Sequence, residues 1–314
     1  MNSSRAAITR RAFLGAAALL PLAGCAAEKT PASSPSFVPS PSLTPSSSAA
    51  SVTDRHHHLI ELERKFDARV GVYALAIGTG ATIAHRADER FAFCSVFKAL
   101  AAAAVLHRNP LSHLDTVMAY TEGDLMKSAV ITRQHVATGM TIREVCDAAV
   151  RHSDGTAGNL LLRDLGGPAE LTAYARSLGD MVTRMDRIEP LIVEATPGDP
   201  RDTSSPRAFG SSFHAIVLGD ALPPDKRAFL RDLLERNATS AGARRIRAGL
   251  PPGWTVADKT GTGDYGTLND IAIAWPPNST PLVIAIMSSR ATKDAEYNEA
   301  LIAEAAAYVV TTLT

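Results

Sequence analysis

The strand-forming signals of this chain lie at its two ends, and that separation limits the folds open to it. Val70 to Ile77 and Ala81 to Arg86, parted by Gly78-Thr79-Gly80, read as a hairpin. The next strand signals come only at Thr255 to Thr262, Thr267 to Ala274 and Leu282 to Met287, with Pro276-Pro277 marking a turn. The stretch between, from about 110 to 238, is mainly helical. Val52 to Arg69 reads as a helix striped by Leu59, Ile60, Leu62 and Phe66, and a closing helix is expected from about Ala295 to Val310. The expectation is an α+β fold, an α/β/α sandwich: one antiparallel sheet built from both chain ends, with an all-helical lobe (about 90–238) inserted into it. A cleft should lie where the two lobes meet. At 314 residues and 46% apolar content the chain can bury a large core. Its 32 basic and 32 acidic residues balance, with no basic stripe interleaved with aromatics, which disfavours a nucleic-acid partner.

The N-terminus reads as an address. Thr9-Arg10-Arg11-Ala12-Phe13-Leu14 is a twin-arginine pattern, followed by an apolar run to Gly24 that falls short of the ~20 residues needed to span a bilayer. The run ends in Leu22-Ala23-Gly24-Cys25, which resembles a bacterial lipobox and implies cleavage before Cys25 and lipidation of it. Residues 26–52, dominated by Pro, Ser, Thr and Ala, are expected to form a disordered tether. The folded body then starts at about residue 53. The layout predicts export by the twin-arginine route and an extracytoplasmic protein held at a membrane by its lipid.

Of the other cysteines, Cys94 and Cys146 lie in apolar, helix-like surroundings and are expected to stay reduced. His56, His57 and His58 are adjacent and diverge around a helix, and no other histidine spacing suits a metal, so no metal site and no cofactor are predicted.

The stretch that carries chemistry begins at Phe91-Ala92-Phe93-Cys94-Ser95-Val96-Phe97-Lys98, before the apolar run Ala99 to Leu106. It reads as extended chain turning into a buried helix. Ser95 and Lys98, three residues apart, share a helix face, and a hydroxyl beside an amine held neutral is a minimal nucleophile–base pair. Three more segments follow: Ser153-Asp154-Gly155 after a helix-like Thr141 to Arg151, a loop from Arg187-Ile188-Glu189-Pro190 to Asp202-Thr203, and Lys259-Thr260-Gly261-Thr262-Gly263 on a strand. The small residues of the last would let a substrate lie along a strand edge. Alone, each is an ordinary cap, turn, surface loop or strand end; in this order they form a constellation.

Here the sequence resembles the serine β-lactamases and penicillin-binding proteins, whose shared marks are S-x-x-K, S-D-x and K-T-G. The loop with R-x-E-P and then P-G-D-x-R-D-T resembles the Ω-loop of class A β-lactamases, and the likeness covers residues 53–314. The resemblance implies that Ser95 attacks the lactam carbonyl. Lys98, or Glu189 through a water, takes its proton, with Lys98 kept neutral by burial and by Lys259. It further implies that Ser153 protonates the departing nitrogen, that backbone N–H groups of Ser95 and Thr262 form an oxyanion hole, and that Glu189 activates the deacylating water. Lys259, Thr260, Thr262 and Arg245 would hold the substrate carboxylate, with Gly155 and Gly261 also lining the substrate site. Arg187 and Asp202 would pair across the neck of the Ω-loop. The implied protein is a monomer acting on small β-lactam antibiotics and so conferring resistance.

Two positions depart from the pattern. Gly155 stands where S-D-N usually has Asn, which removes a donor to the substrate's side-chain amide. Leu191-Ile192-Val193 replaces the usual Glu-Leu-Asn, and Val193 offers nothing to the hydrolytic water. Such a water needs two to four polar partners, so deacylation should be slowed by roughly 5- to 150-fold. The segment near Met126-Lys127-Ser128 also lacks an aromatic often found at the cleft wall. A β-lactam-binding protein that acylates and holds the drug is therefore an alternative to a hydrolase. A D-Ala-D-Ala peptidase shares the Ser and Lys motifs but leaves the Glu189 loop unexplained.

Overall fold

The computed structural model describes residues 50–314, with side chains from His57 onward. The twin-arginine segment, Cys25, nearly all of the 26–52 stretch and the His56 side chain lie outside the described residues. The central sheet has five antiparallel strands: β1 (Arg69–Ala76), β2 (Thr82–His85), β7 (Thr255–Gly263), β8 (Thr267–Trp275) and β9 (Leu282–Ser289), in the order β2-β1-β9-β8-β7. The remaining strands are two-residue pairs, β3 (Phe91–Ala92) with β6 (Thr203–Ser204) and β4 (Val117–Met118) with β5 (Met140–Thr141). The sheet does join the two chain ends: β1 pairs with β9 from Arg69↔Ser289 to Ala76↔Leu282.

Both faces of the sheet are covered, which is why its strands read as near-continuous apolar runs. In β9, Leu282, Ile284 and Ile286 belong to one core, and Val283, Ala285 and Met287 to the other. That is the period-2 alternation a strand imposes. The first core includes Leu59, Leu62 and Phe66 of α1 (Ala50–Phe66) and Leu301, Ile302, Ala305 and Val309 of α10 (Ala300–Leu313). The second faces the helices inserted between β2 and β7.

Those helices surround α2 (Phe97–Arg108), in which every residue from Phe97 to Leu106 is buried. A helix apolar on all sides has to be central, and full burial of each large side chain contributes about 1.5–3 kcal/mol. Around it pack α3 (Ile142–Arg151), α4 (Gly155–Leu165), α5 (Pro168–Ser177), α6 (Pro206–Val217) and α7 (Pro224–Glu235). The helix α6 falls within the stretch expected to form the separate lobe, yet it packs on β1, β8 and β9. Gly210 allows this approach, since a Cβ there would stand 2.9 Å from the Tyr73 ring. Two short helices, α8 (Ser240–Arg244) and α9 (Ile246–Gly249), lead into β7.

Two boundaries differ from expectation. The first helix stops at Phe66, because Asp67 turns into a left-handed conformation (φ 46°) and Glu63 accepts the Val70 N–H at 2.8 Å, feeding the chain into β1. The closing helix starts at Ala300 because the preceding residues wrap the β7–β8 turn. Tyr265 N–H donates to Lys293 O at 2.8 Å, Arg290 N–H to Tyr265 O at 2.7 Å, and the Tyr297 hydroxyl to Gly263 O at 3.2 Å.

Candidate active site

Ser95 lies in a 3-10 turn (Cys94–Val96) that runs directly into α2, rather than in the first turn of the helix itself. Cys94, fully buried, is held at φ 48°, an uncommon conformation for a side chain with a Cβ. The turn is pinned from the sheet: Asn269 of β8 donates its amide to Ala92 O at 2.9 Å and to Phe93 O at 3.2 Å. One turn along α2, Lys98 is completely buried, and its Nζ reaches Ser95 Oγ at 2.9 Å, Ser153 O at 2.8 Å and Glu189 Oε1 at 2.6 Å. The resemblance left Lys98 or Glu189 as the base. The structure sets the Glu189 carboxylate directly against the Lys98 amine.

Glu189 is nearly buried and holds three polar contacts. Oε1 meets Lys98 and accepts from Ser95 Oγ at 3.3 Å; Oε2 accepts from Ser128 Oγ at 3.2 Å. The hydroxyl-to-carboxylate contact is direct. Burial works to raise the Glu189 pKa, but Lys98 and the two hydroxyls outweigh it, leaving the group below its ordinary value and ionised at neutral pH. Its backbone is clamped by Asn159 of α4, which accepts from Glu189 N–H at 3.0 Å and donates to Glu189 O at 2.9 Å.

The loop carrying Glu189 is closed at its neck by an ion pair. Arg187 Nε meets Asp202 Oδ2 at 2.6 Å, and Asp202 Oδ1 accepts the N–H groups of Asp186 (2.8 Å) and Arg187 (2.9 Å). Asp202 is 1% exposed. Arg187 also reaches Glu194 at 2.6 Å. Val193 is half-buried and packs toward the helical core; its carbonyl accepts the Asp264 N–H at 2.8 Å and its own N–H donates to Pro190 O at 3.3 Å.

Ser153 occupies the left-handed region at φ 57°, between α3 and the Asp154 cap of α4. Its Oγ accepts from Lys259 Nζ at 2.9 Å, and Lys259 also donates to Thr260 O at 3.0 Å. Lys259 is wholly buried. Desolvation first, and the Lys98 charge second, push its amine down to about 7.

The strand β7 lies at the edge of the sheet and faces Ser95. Its glycines serve a purpose the sequence did not suggest. A Cβ on Gly261 would stand 2.5 Å from Phe93 O, and one on Gly263 would stand 2.6 Å from Cys94 Sγ and 2.7 Å from Val193 O. The small residues first admit the protein's own Ser95 turn and Ω-loop, rather than a ligand. Arg245 also differs from expectation. It is 1% exposed and donates to Gly261 O, Asn269 O and Thr262 Oγ1, each at 2.7 Å, and to Glu299 at 2.5 Å. With a contact at 3.4 Å to the other Glu299 oxygen, its five N–H groups are engaged. It therefore presents its charge to the cleft through Thr262 rather than as a free fork.

Four residues that shape the site carried no motif: Ser128, Asn159, Asn269 and Glu299. Only Asn159 left a trace, as a lone amide in the apolar pattern of α4. Cys94 and Cys146 are both free and buried. A groove of about 1060 Å³ lies between α1, β1 and the outer side of the Ω-loop, and is lined by none of Ser95, Lys98, Ser153, Glu189 or Lys259. Among the described residues no cluster of His, Cys, Asp or Glu could hold a metal ion.

The profile of the β-lactamase enzyme family matches residues 55–313. A β-lactamase of Mycobacterium tuberculosis is 53% identical over 306 residues, 96% of each chain. A β-lactamase of Amycolatopsis lactamdurans is 52% identical over 275 residues, 88% of this chain and 89% of the other. The solved class A β-lactamase of Clostridium kluyveri superposes with a TM-score of 0.81 at 44% identity, covering 83% of this chain and 98% of that one. The chain belongs to the β-lactamase enzyme family and, within it, to the class A serine β-lactamases.

Proposed function

We propose that this β-lactamase opens its substrates through an acyl-enzyme on Ser95 and releases it with a water activated by Glu189. The observation that carries the reading is the position of Ser95 Oγ, 2.9 Å from Lys98 Nζ and 3.3 Å from Glu189 Oε1. Lys98 donates to the oxygen, so the hydroxyl proton is directed at the carboxylate. Glu189 takes it as Oγ bonds to the lactam carbonyl carbon, and Lys98 steadies the charge that passes between them. The backbone N–H groups of Ser95 and Thr262 receive the carbonyl oxygen as it becomes negative. When the C–N bond breaks, Ser153 gives its proton to the ring nitrogen and Lys259 resupplies it. An ammonium with a pKa of about 7 gives up its proton readily. Glu189 then passes the proton it took to solvent while Lys259 takes one back, which restores both groups; Glu189 next accepts a proton from water, the hydroxide attacks the ester, and that proton returns to Ser95 Oγ as the C–O bond breaks.

Lys259, Thr260 and Thr262 would hold the substrate carboxylate, with Arg245 supplying charge behind Thr262. The same reading makes the protein a monomer that protects its cell from β-lactam antibiotics. From the sequence it is exported by the twin-arginine route, cleaved before Cys25 and held outside the membrane by lipid through the 26–52 tether. Val193 supports a second reading, in which acylation outruns release and the protein sequesters the drug. Steady-state rates on penicillins, cephalosporins and carbapenems, with intact-mass detection of the adduct, separate the two. Continued turnover supports the hydrolase; one equivalent consumed and then none supports the sink.

A further inference from the structure

We infer that Ser128 is a positioning residue for the deacylation step, holding the Glu189 carboxylate in the acyl-enzyme in place of the polar side chain that Val193 lacks. The inference rests on the proposed role of Glu189.

Three observations carry it. Glu189 has no side-chain donor from its own loop, because Leu191, Ile192 and Val193 are apolar. Of its carboxylate contacts, those of Oε1 go to Lys98 and Ser95, and that of Oε2 goes to Ser128. Gly155 makes the last contact possible, because a Cβ there would collide with both Glu189 Oε2 and Ser128 Oγ. The two departures in sequence, Gly155 and Val193, thus meet at one hydrogen bond.

Ser128 is exposed on the cleft wall, yet its loop is fastened to the start of α4 along its length. Met126 N–H donates to Thr156 Oγ1 at 2.8 Å, Ile131 and Thr132 N–H both donate to Asp154 Oδ2 at 2.9 Å, and Gly155 N–H reaches Ser128 O at 3.4 Å. The hydroxyl is therefore placed before substrate arrives.

Its importance rises after acylation. While Ser95 is a free hydroxyl it donates to Oε1. Once Oγ is an ester oxygen it has no hydrogen to donate, and Oε1 becomes open to a water proton. Lys98 and Ser128 are then the two groups left on the carboxylate, one on each oxygen, and Ser128 fixes the rotation of the group about its Cγ–Cδ bond. The step balances as an ester hydrolysis: the water oxygen bonds to the acyl carbon, its proton passes to Oε1, the bond to Ser95 Oγ breaks, and the proton returns to Oγ.

The test is a pre-steady-state measurement with a chromogenic cephalosporin and intact-mass readout on the parent, Ser128→Ala, Val193→Asn, the double variant and Glu189→Gln. Ser128→Ala should acylate within about twofold of the parent and deacylate roughly tenfold more slowly, so that adduct accumulates. Its acid limb should move to higher pH, because the carboxylate loses a donor that favours its ionised form. Adding Val193→Asn should restore release in the Ser128→Ala background more than it raises the parent. Parental deacylation by Ser128→Ala, or equal loss in both steps, overturns the inference while Glu189→Gln still accumulates adduct. If Glu189→Gln shows no accumulation, the underlying role of Glu189 falls with it.

Discussion

The two halves of the site are built differently. The half that would make the acyl-enzyme is held by buried backbone and buried charge. Lys98 and Lys259 are wholly enclosed, Ser153 is locked between two helices, Asn269 ties the Ser95 turn to the sheet, and glycines on β7 let that turn press against the strand. The half that would release it sits on a loop held by individual polar contacts: the Arg187–Asp202 neck with Glu194, the Asn159 clamp, the Asp264 N–H to Val193 O, and the Lys98 and Ser128 contacts to the two Glu189 oxygens. Val193 falls on this second half, and Gly155, from the Ser153 segment, makes room for its Ser128–Glu189 contact. In the proposed mechanism acylation draws mostly on groups fixed by the fold, whereas deacylation rests on the few polar contacts of Glu189, and that is where its rate can drift.

The largest expected effect lies on the first half. Ser95→Ala should lose at least about 10⁴-fold in kcat/KM, leave the thermal midpoint close to the parent's, and form no adduct by intact mass. Adduct formation in that variant would move the nucleophile elsewhere. Next comes Glu189→Gln, where deacylation should fall by roughly 10³-fold and acylation by less than about 10²-fold. Lys98, relieved of its carboxylate, can then serve as the base. Equal losses in both steps, measured by stopped-flow, would erase the contrast between the halves.

The neck should give a smaller effect that combines stability and rate. Asp202→Ala removes the buried partner of Arg187 and the acceptor of two backbone N–H groups, at a cost of about 3–5 kcal/mol. Calorimetry should show a lowered midpoint, and pre-steady-state traces a slower release with acylation little changed.

The smallest effect concerns pH. Lys259 loses its charge near pH 7, so KM for an anionic β-lactam should rise as pH climbs through that region. A bound carboxylate delays the loss by favouring the ammonium. Lysine 259 replaced by arginine (Lys259→Arg) keeps its charge, and its KM profile should be flat over the same range. A flat profile in the parent would remove Lys259 from carboxylate recognition.

Much of this was legible in the sequence because motifs and strand signals are local. The Ser95–Lys98 spacing, the Ser153 turn, the Glu189 loop with its Arg187–Asp202 neck and the Lys259 strand are each written in a few consecutive residues. The antiparallel sheet from both chain ends followed from where the strand signals lay. What escaped was contact between distant segments. Nothing local marks Ser128 as facing Glu189, or Asn269 as reaching the carbonyls before Ser95. The glycines Gly261 and Gly263 signalled close approach, but not whether protein or ligand would fill the space. Arg245 was visible as a cation near Lys259, while its enclosure by Glu299, Thr262 and two carbonyls depends on how α8, α10 and β8 converge.

The most direct test is peptide mapping of Glu189→Gln after exposure to one equivalent of a cephalosporin. The account predicts one persistent acyl group, carried by the peptide that contains Ser95 and lost only slowly in drug-free buffer. Undiminished turnover without adduct, or an acyl group on any other residue, would contradict it.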